Sequence, residues 1–340
     1  MEVTFMETVK RIQKWDILKF ILIFLVVFGH VIDTYFDESA WAKSLIVIIY
    51  SFHMPVFVFV SGLFSKKNIQ QKRYEKIIGY LFMYFIIKMI IALGRVVAVE
   101  KMGFSVLSES GLPWYMLAMF AFQLVTIAIR NFSPKYILVF SILLSCFAGY
   151  DIEIDDRFCL MRLIVFFPFF YLGYILNPKK VVRFFDNKAL KLFSAVILVG
   201  FIIAVWLNPD DFYELRPLLT GRNSYETLNE AFDFGALIRF AYYLAVTIIG
   251  AAVVCLVPKR LGNGGIARLG SRTLQIYSLH YFFIFLYSGL VGRDILPDHP
   301  AIMSIILAVL ITAICSLKFW EPLFSRLMNP KTIVQKNIGA

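Results

Sequence analysis

Residues 15–33 read WDILKFILIFLVVFGHVID, an apolar run of helix length that opens on Trp15-Asp16, carries Lys19 one turn in, and closes on Gly29-His30 and Asp33. A hydrocarbon core takes about 20 mainly apolar residues per helix, so the run reads as a membrane span. Working outward, nine more stretches of the same kind are bounded by charge, Pro, Gly or Asn: roughly 42–64, 77–98, 113–129, 136–149, 158–176, 192–207, 235–257, 273–291 and 300–317. The 340 residues are 60% hydrophobic and 17% charged, with a mean hydropathy of +0.75. A soluble domain has about 45–50% apolar and about 25% charged residues, so a soluble globule is excluded. The expected fold is an all-α polytopic membrane protein, one domain over 1–340, with about ten transmembrane helices.

Ten spans place both termini on one side and sort the connections into two classes. Of the 34 Lys and Arg, 23 fall on the side of the N-terminus and six on the other, which holds 17 of the 23 acidic residues. The positive-inside rule makes the basic side cytoplasmic, with 319–340 as a cytoplasmic tail. The net charge of +11 thus reflects orientation in a cell membrane, and gives no support to nucleic-acid binding. The first span carries Lys19 and His30 and lacks a small-residue cleavage site, so it is expected to stay in the mature protein. Cys146, Cys159, Cys255 and Cys315 have no paired spacing and read as small core residues, with neither disulfide nor metal site expected. Asn131-Phe132-Ser133 matches a glycosylation sequon on the cytoplasmic side and reads as chance, and Gly262-Asn263-Gly264-Gly265 reads as a flexible turn. The longest connection, about 208–234, is extracytoplasmic, acidic and aromatic.

Five cations, Lys19, Lys88, Arg95, Arg162 and Arg239, fall inside the apolar stretches. Such groups are costly in hydrocarbon and by default face a bundle interior or wet cavity. Lys19 and His30 are 11 residues apart, roughly 16 Å along a helix and almost three whole turns, so both point to one face. A snorkelling lysine and a carbonyl-bonded imidazole would explain each singly. The pattern gains weight from His53-Met54-Pro55 in the second stretch and His280 in the ninth, which put three of four histidines inside the membrane. A neutral imidazole accepts a proton from a hydroxyl, which makes His30 a candidate general base. Asp33, three residues on, is placed to orient the ring or stabilise its protonated form, and a solvated carboxylate at the interface would explain it equally well. Arg73 and Lys76 share a face before the third span and suit phosphate groups, although topology and anionic lipid would account for the same charges.

These residues resemble the integral-membrane acyltransferase family 3, and within it the fucose 4-O-acetylase-like branch. The matches are Trp15-Asp16-Ile17-Leu18-Lys19 through Gly29-His30; Phe52-His53-Met54-Pro55 through Ser61-Gly62; Pro113-Trp114-Tyr115-Met116-Leu117; Phe167-Pro168 through Gly173-Tyr174; and Leu269-Gly270-Ser271 through Leu279-His280. They run in family order across 15–280.

The resemblance implies transfer of an acyl group, usually acetyl from acetyl-CoA, to a hydroxyl of a cell-surface or lipid-linked sugar. No tightly bound cofactor is implied; acyl-CoA is a co-substrate, and the partners are the glycan acceptor and the bilayer. It carries the catalytic role to His30, with Asp33 beside it, and acyl-CoA binding to Asp16, Lys19, Arg73 and Lys76. Many members have Arg where this chain has Lys19 and Lys76, so the bidentate fork is lost at both. His53, Trp114, Arg162, Arg222, Tyr225, Arg239 and His280 form the expected acceptor or pocket set, with Trp114 and Tyr225 stacking on sugar faces and Arg162 and Arg239 holding hydroxyls or an oxyanion. The rival reading is a transporter or flippase for an anionic metabolite or lipid-linked sugar, with the same cations along its path; no internal repeat of the kind such proteins carry is found.

Overall fold

A computed structural model of the chain describes residues 12–35, 39–98, 111–154, 158–291 and 299–328. All ten apolar stretches lie in helices. In chain order these are α1 (Gln13–Tyr35), α2 (Ala40–Tyr50), α3 (His53–Gln70), α4 (Tyr74–Val97), α5 (Trp114–Ile129), α6 (Pro134–Ala148), α7 (Leu160–Ile175), the short α8 (Pro178–Phe184) and α9 (Lys188–Leu207). The long connection folds into α10 (Pro209–Tyr213), α11 (Arg216–Thr220) and a 3-10 segment (Tyr225–Phe234), followed by α12 (Gly235–Leu256), α13 (Gly265–Leu269), α14 (Thr273–Val291), α15 (Pro300–Cys315) and α16 (Glu321–Leu327).

Six described segments are long and apolar enough to cross a membrane: α1, α2 with α3, α4, α9, the 3-10 segment with α12, and α14. Two more qualify only as bent pairs, α7 with α8 at 92° and α15 with Lys318–Leu327 at 44°. The helices α5 and α6 have 16 and 15 residues, about 24 and 22 Å at 1.5 Å per residue, against a core of about 30 Å. The ten expected stretches are therefore ten apolar helices, of which six to eight have spanning length. Large apolar side chains face outward from the bundle, most plainly on the peripheral α9, where Leu192, Val196 and Leu207 are exposed and only Ser194 and Val205 are buried. A belt of this kind marks a lipid-facing surface.

The second stretch is broken at 51–52 for a local reason. Pro55 lacks an N–H and its ring crowds the carbonyl four residues back, that of Ser51. Side chains take up backbone acceptors around the break: the Ser51 hydroxyl donates to the Val47 carbonyl at 2.6 Å and the His53 Nδ1 to the Ile49 carbonyl at 2.8 Å. The break places His53 and Met54 in the bundle interior.

The most extensive helix pairing is α3 on α7, and it rests on two glycines. A Cβ on Gly62 would lie 2.0 Å from the Phe170 carbonyl oxygen, and one on Gly173 2.1 Å from that of Phe59. The two backbones thus touch directly, the approach that small residues permit between membrane helices. At the end of the bundle where α1 begins, Lys14 Nζ donates to the Val257 carbonyl at 2.6 Å, closing the C-terminus of α12. The start of the expected tail folds back there as well: Phe324 of α16 is buried and Met328 packs against Gly79 of α4. The rest of that tail, 329–340, and the N-terminal residues 1–11 lie outside the described residues.

Candidate active site

Two cavities lie in line inside the bundle. One, of about 140 Å³, is lined by His30 of α1, His53 of α3, Trp114 of α5, Arg162 of α7, Arg216 of α11 and Tyr281 of α14, among others. The other, of about 170 Å³, is lined by Lys19, Ser61, Tyr80, Tyr115 and Met328. Both share Val26, Met54 and Tyr277 as walls. The α1 stripe explains the arrangement: Lys19, Val26, His30 and Asp33 recur at helical spacing, so one face runs from one cavity into the next. The α14 stripe, Thr273, Leu274, Tyr277 and Tyr281, does the same from the neighbouring helix, which packs against α1.

At the histidine cavity, His30 Nδ1 lies 3.1 Å from the Tyr281 hydroxyl. Its ring stacks on that of His280, with centroids 5.5 Å apart and planes 21° apart. The backbone carbonyl that each meets can only accept, so His53 and His280 carry their protons on Nδ1, at 2.8 Å from Ile49 and 3.0 Å from Ile276. In the neutral ring, this tautomer leaves Nε2 as a lone-pair nitrogen in both. That of His280 is buried without a hydrogen-bond partner among the described residues, while His53 lines the cavity.

Asp33 lines the same cavity and forms an ion pair with Arg216, which joins α1 to the segment that follows α9. The described partner at His30 Nδ1 is Tyr281. Arg162 Nη1 reaches the Gly111 carbonyl at 3.5 Å, and its guanidinium lies 5.3 Å from the Trp114 ring centroid. Trp114 also stacks on Phe166, at 5.1 Å. Arg222 completes the cationic side of the lining.

Two expected pocket residues have other work. Tyr225 is fully buried, its ring seated where a Cβ on Gly149 or Gly235 would come within 2.5 or 2.1 Å, and its hydroxyl donates to the Cys146 carbonyl at 2.8 Å. No sugar face can reach that ring, so Tyr225 is a plug that fastens the 208–234 segment, and not an acceptor platform. Arg239 is fully buried and absent from the cavity lining; it donates to the Leu218 carbonyl at 3.0 Å and lies over the rings of Tyr225 and Tyr242, at 5.7 and 5.3 Å.

At the other cavity, Lys19 pairs with Asp16 at 2.8 Å. Asp16 is almost fully buried beneath α13, where its carbonyl oxygen leaves no room for a Cβ on Gly270. Asp16 thus holds the ammonium that lines the cavity. Arg73 and Lys76 sit seven and four residues before Tyr80, on the α4 face that leads into the cavity but outside its lining. The Ser61 and Tyr115 hydroxyls, both in the lining of this cavity, meet at 2.5 Å.

Residues that sequence reasoning left out of the site are Tyr281, Tyr277, Tyr50, Met54 and Arg216. Tyr281 adjoins His280 and Tyr277 lies one turn before it, so both were within reach of the helical pattern; Arg216, at the start of α11 and 183 residues from Asp33, had no local signal. Among the described residues, no three His, Cys, Asp or Glu side chains are grouped as ligands for a metal ion.

No curated protein and no solved structure matches the chain. A family model described as an acyltransferase domain, Acyl_transf_3, matches residues 12–320, a stretch that contains every element of both cavities apart from Met328. On that match the chain belongs to the membrane acyltransferases of acyltransferase family 3.

Proposed function

We propose that this acyltransferase moves an acetyl group from cytoplasmic acetyl-CoA to a hydroxyl of a cell-surface or lipid-linked sugar, as in the fucose 4-O-acetylase-like branch. The observation that carries the reading is the pair of in-line cavities: a cationic mouth at Lys19 and a histidine cavity, separated by Val26, Met54 and Tyr277. Two substrates from opposite faces of a membrane need this arrangement. The basic end faces the cytoplasm, the ten helices cross the cell membrane with both termini inside, and α5 and α6 cross where the bundle thins the bilayer.

CoA phosphates dock at Lys19, Arg73 and Lys76, and the pantetheine arm passes Tyr277 to bring the thioester to His30, roughly 16 Å from Lys19. The acceptor enters from the other side. His30 takes the proton of its hydroxyl as the oxygen attacks the thioester carbonyl, the carbon–sulfur bond breaks, and the proton passes from the imidazolium to the leaving thiolate, giving ester and free CoA. The Arg162 guanidinium stabilises charge on the carbonyl oxygen.

The test is acetyl transfer by the protein in lipid nanodiscs from labelled acetyl-CoA to candidate glycans. His30→Ala is expected to lose about 10²- to 10⁴-fold in rate while still binding CoA; a folded variant that transfers normally refutes the base. CoA affinity that is unchanged in both Lys19→Ala and Arg73→Ala refutes the donor site. Passage of an intact anionic metabolite through proteoliposomes, without chemistry, would favour the transporter reading instead.

A further inference from the structure

A third cavity, a groove of about 380 Å³, opens on the flank of the bundle between α3, α7, α8 and α12. Along α12 it follows Val246, Gly250 and Val254, a stripe at helical spacing that runs from the middle of the helix to its last turn. The stripe is roughly 12 Å long, close to one leaflet's share of a core about 30 Å thick. Small residues make the space: a Cβ on Gly250 would meet only the Val56 side chain, at 2.8 Å, and Ala251 lies beside it in the lining.

The groove is roofed at one end. There α7 turns by 92° into α8, whose start is fixed by the Asn177 side chain, which accepts from the Lys179 and Lys180 N–H groups at 2.9 and 3.4 Å. Lys180, Val181 and Phe184 of α8 line the groove, and apart from Lys180 and Thr247 the lining is wholly apolar. The roof stands at the end of the bundle where α12 finishes and Lys14 closes it, the basic end.

Two features say what fits. An apolar groove open to the flank loses dispersion contacts unless something fills it, and a hydrocarbon chain of the bilayer is the filler at hand. At the roof, Lys179, Lys180 and Arg183 of α8 pair with no carboxylate among the described residues; Asp186, the nearest acid in the sequence, is held by Lys259 and by Lys191. Any basic helix at an interface attracts anionic lipid. Here one of its lysines lines the same groove as the apolar stripe, so headgroup and chain are recognised together. A zwitterionic headgroup would bring its own ammonium against three cations. By contrast, a groove of about 680 Å³ between α5, α6 and α7 has no charged side chain in its lining, and selects no headgroup.

We infer that the groove under α8 seats one anionic phospholipid, with an acyl chain along the α12 stripe and its phosphate at Lys180. Pro55, two residues from His53, also lines the groove, so a seated chain braces the helix break beside the histidine cavity.

The experiment is titration of the full-length protein in detergent with phosphatidylglycerol and phosphatidylcholine of identical chains, read by native mass spectrometry. Phosphatidylglycerol is expected to bind about fivefold or more tightly, the worth of one lysine at an anionic headgroup. Lys180→Gln is expected to remove most of that preference. Lys135→Gln, at the start of α6 and outside the groove, should keep it. Equal affinity for the two lipids, or a preference that Lys180→Gln leaves intact, overturns the inference. Location is read separately, with a phosphatidylglycerol that carries a diazirine in its acyl chain. Cross-links are expected within 55–59 and 246–254, and unlabelled phosphatidylglycerol should suppress them more than phosphatidylcholine does. Cross-links confined to other helices, or competed equally by both lipids, overturn the seat.

Discussion

Replacing Gly62 by Ala tests how closely the site depends on the α3–α7 contact. The added Cβ would stand 2.0 Å from the Phe170 carbonyl oxygen and 3.0 Å from the Tyr174 nitrogen, both backbone atoms. A carbon and a carbonyl oxygen settle at about 3.3 Å, so the helices must part by roughly 1.3 Å. Neither obstacle is a side chain that can swing away. Overpacking of this kind costs about 1–3 kcal/mol. The functional loss is expected to be larger, because α3 carries His53 and α7 carries Arg162, and about 1 Å of misplacement can cost about 10²-fold in rate. Gly173→Ala meets the Phe59 carbonyl at 2.1 Å on the same crossing, so one separation relieves both clashes. The double variant should therefore be less destabilised than the two single effects added, by about 0.5 kcal/mol or more. Gly200→Ala, with nothing within 4 Å of its Cβ, is the control and should be neutral or slightly stabilising. Thermal unfolding in nanodiscs and acetyl-transfer rates read all four variants. Unchanged stability and rate in Gly62→Ala, or full additivity in the double variant, would refute the backbone contact.

Tyr281→Phe removes the hydroxyl beside His30 Nδ1 and should lower kcat with little effect on the KM for acetyl-CoA; a change confined to that KM counts against its placement at the base. Lys19→Ala leaves the almost fully buried Asp16 carboxylate without its 2.8 Å partner, so it should cost about 1–3 kcal/mol of stability as well as CoA affinity, and Asp16→Asn in the same chain should restore stability but not affinity. Tyr225→Phe deletes one buried bond to the Cys146 carbonyl and should cost about 1 kcal/mol in thermal unfolding with acceptor preference intact; altered preference would return Tyr225 to the acceptor site. On the exposed surface, hydrogen bonding from Lys259 holds the Asp186 carboxyl below the usual carboxylate range. The tie it makes between the α8–α9 turn and the α12–α13 loop is therefore fully present above the unfolded carboxyl pKa and lost as the pH falls through the lowered folded one; hydrogen exchange in these loops that is flat from neutral to strongly acid pH would contradict this.

The apolar runs, their charged borders and the spacing of Lys19 and His30 were all legible in the chain itself. Burying an apolar stretch in lipid requires every backbone group to bond within its own segment, so composition nearly dictates helix, and the 3.6-residue period then dictates which side chains share a face. The same local rule made Pro55 a break and carried His53 to the interior. Partners across the bundle obey no such rule. Tyr281 is 251 residues from His30, and Asp33 is 183 from Arg216; which helix faces which is decided by packing, and above all by where glycines let backbones meet. Packing also reassigned Tyr225, since an aromatic residue in a long polar loop reads as a sugar platform until Gly149 and Gly235 are seen to close over it. Sequence by itself determined a helical membrane bundle with a lysine and a histidine on one line. Only the tertiary structure decided that this line runs through two cavities, that a tyrosine partners the histidine, and that arginines from separate helices and the loop beyond α11 crowd the cavity around it.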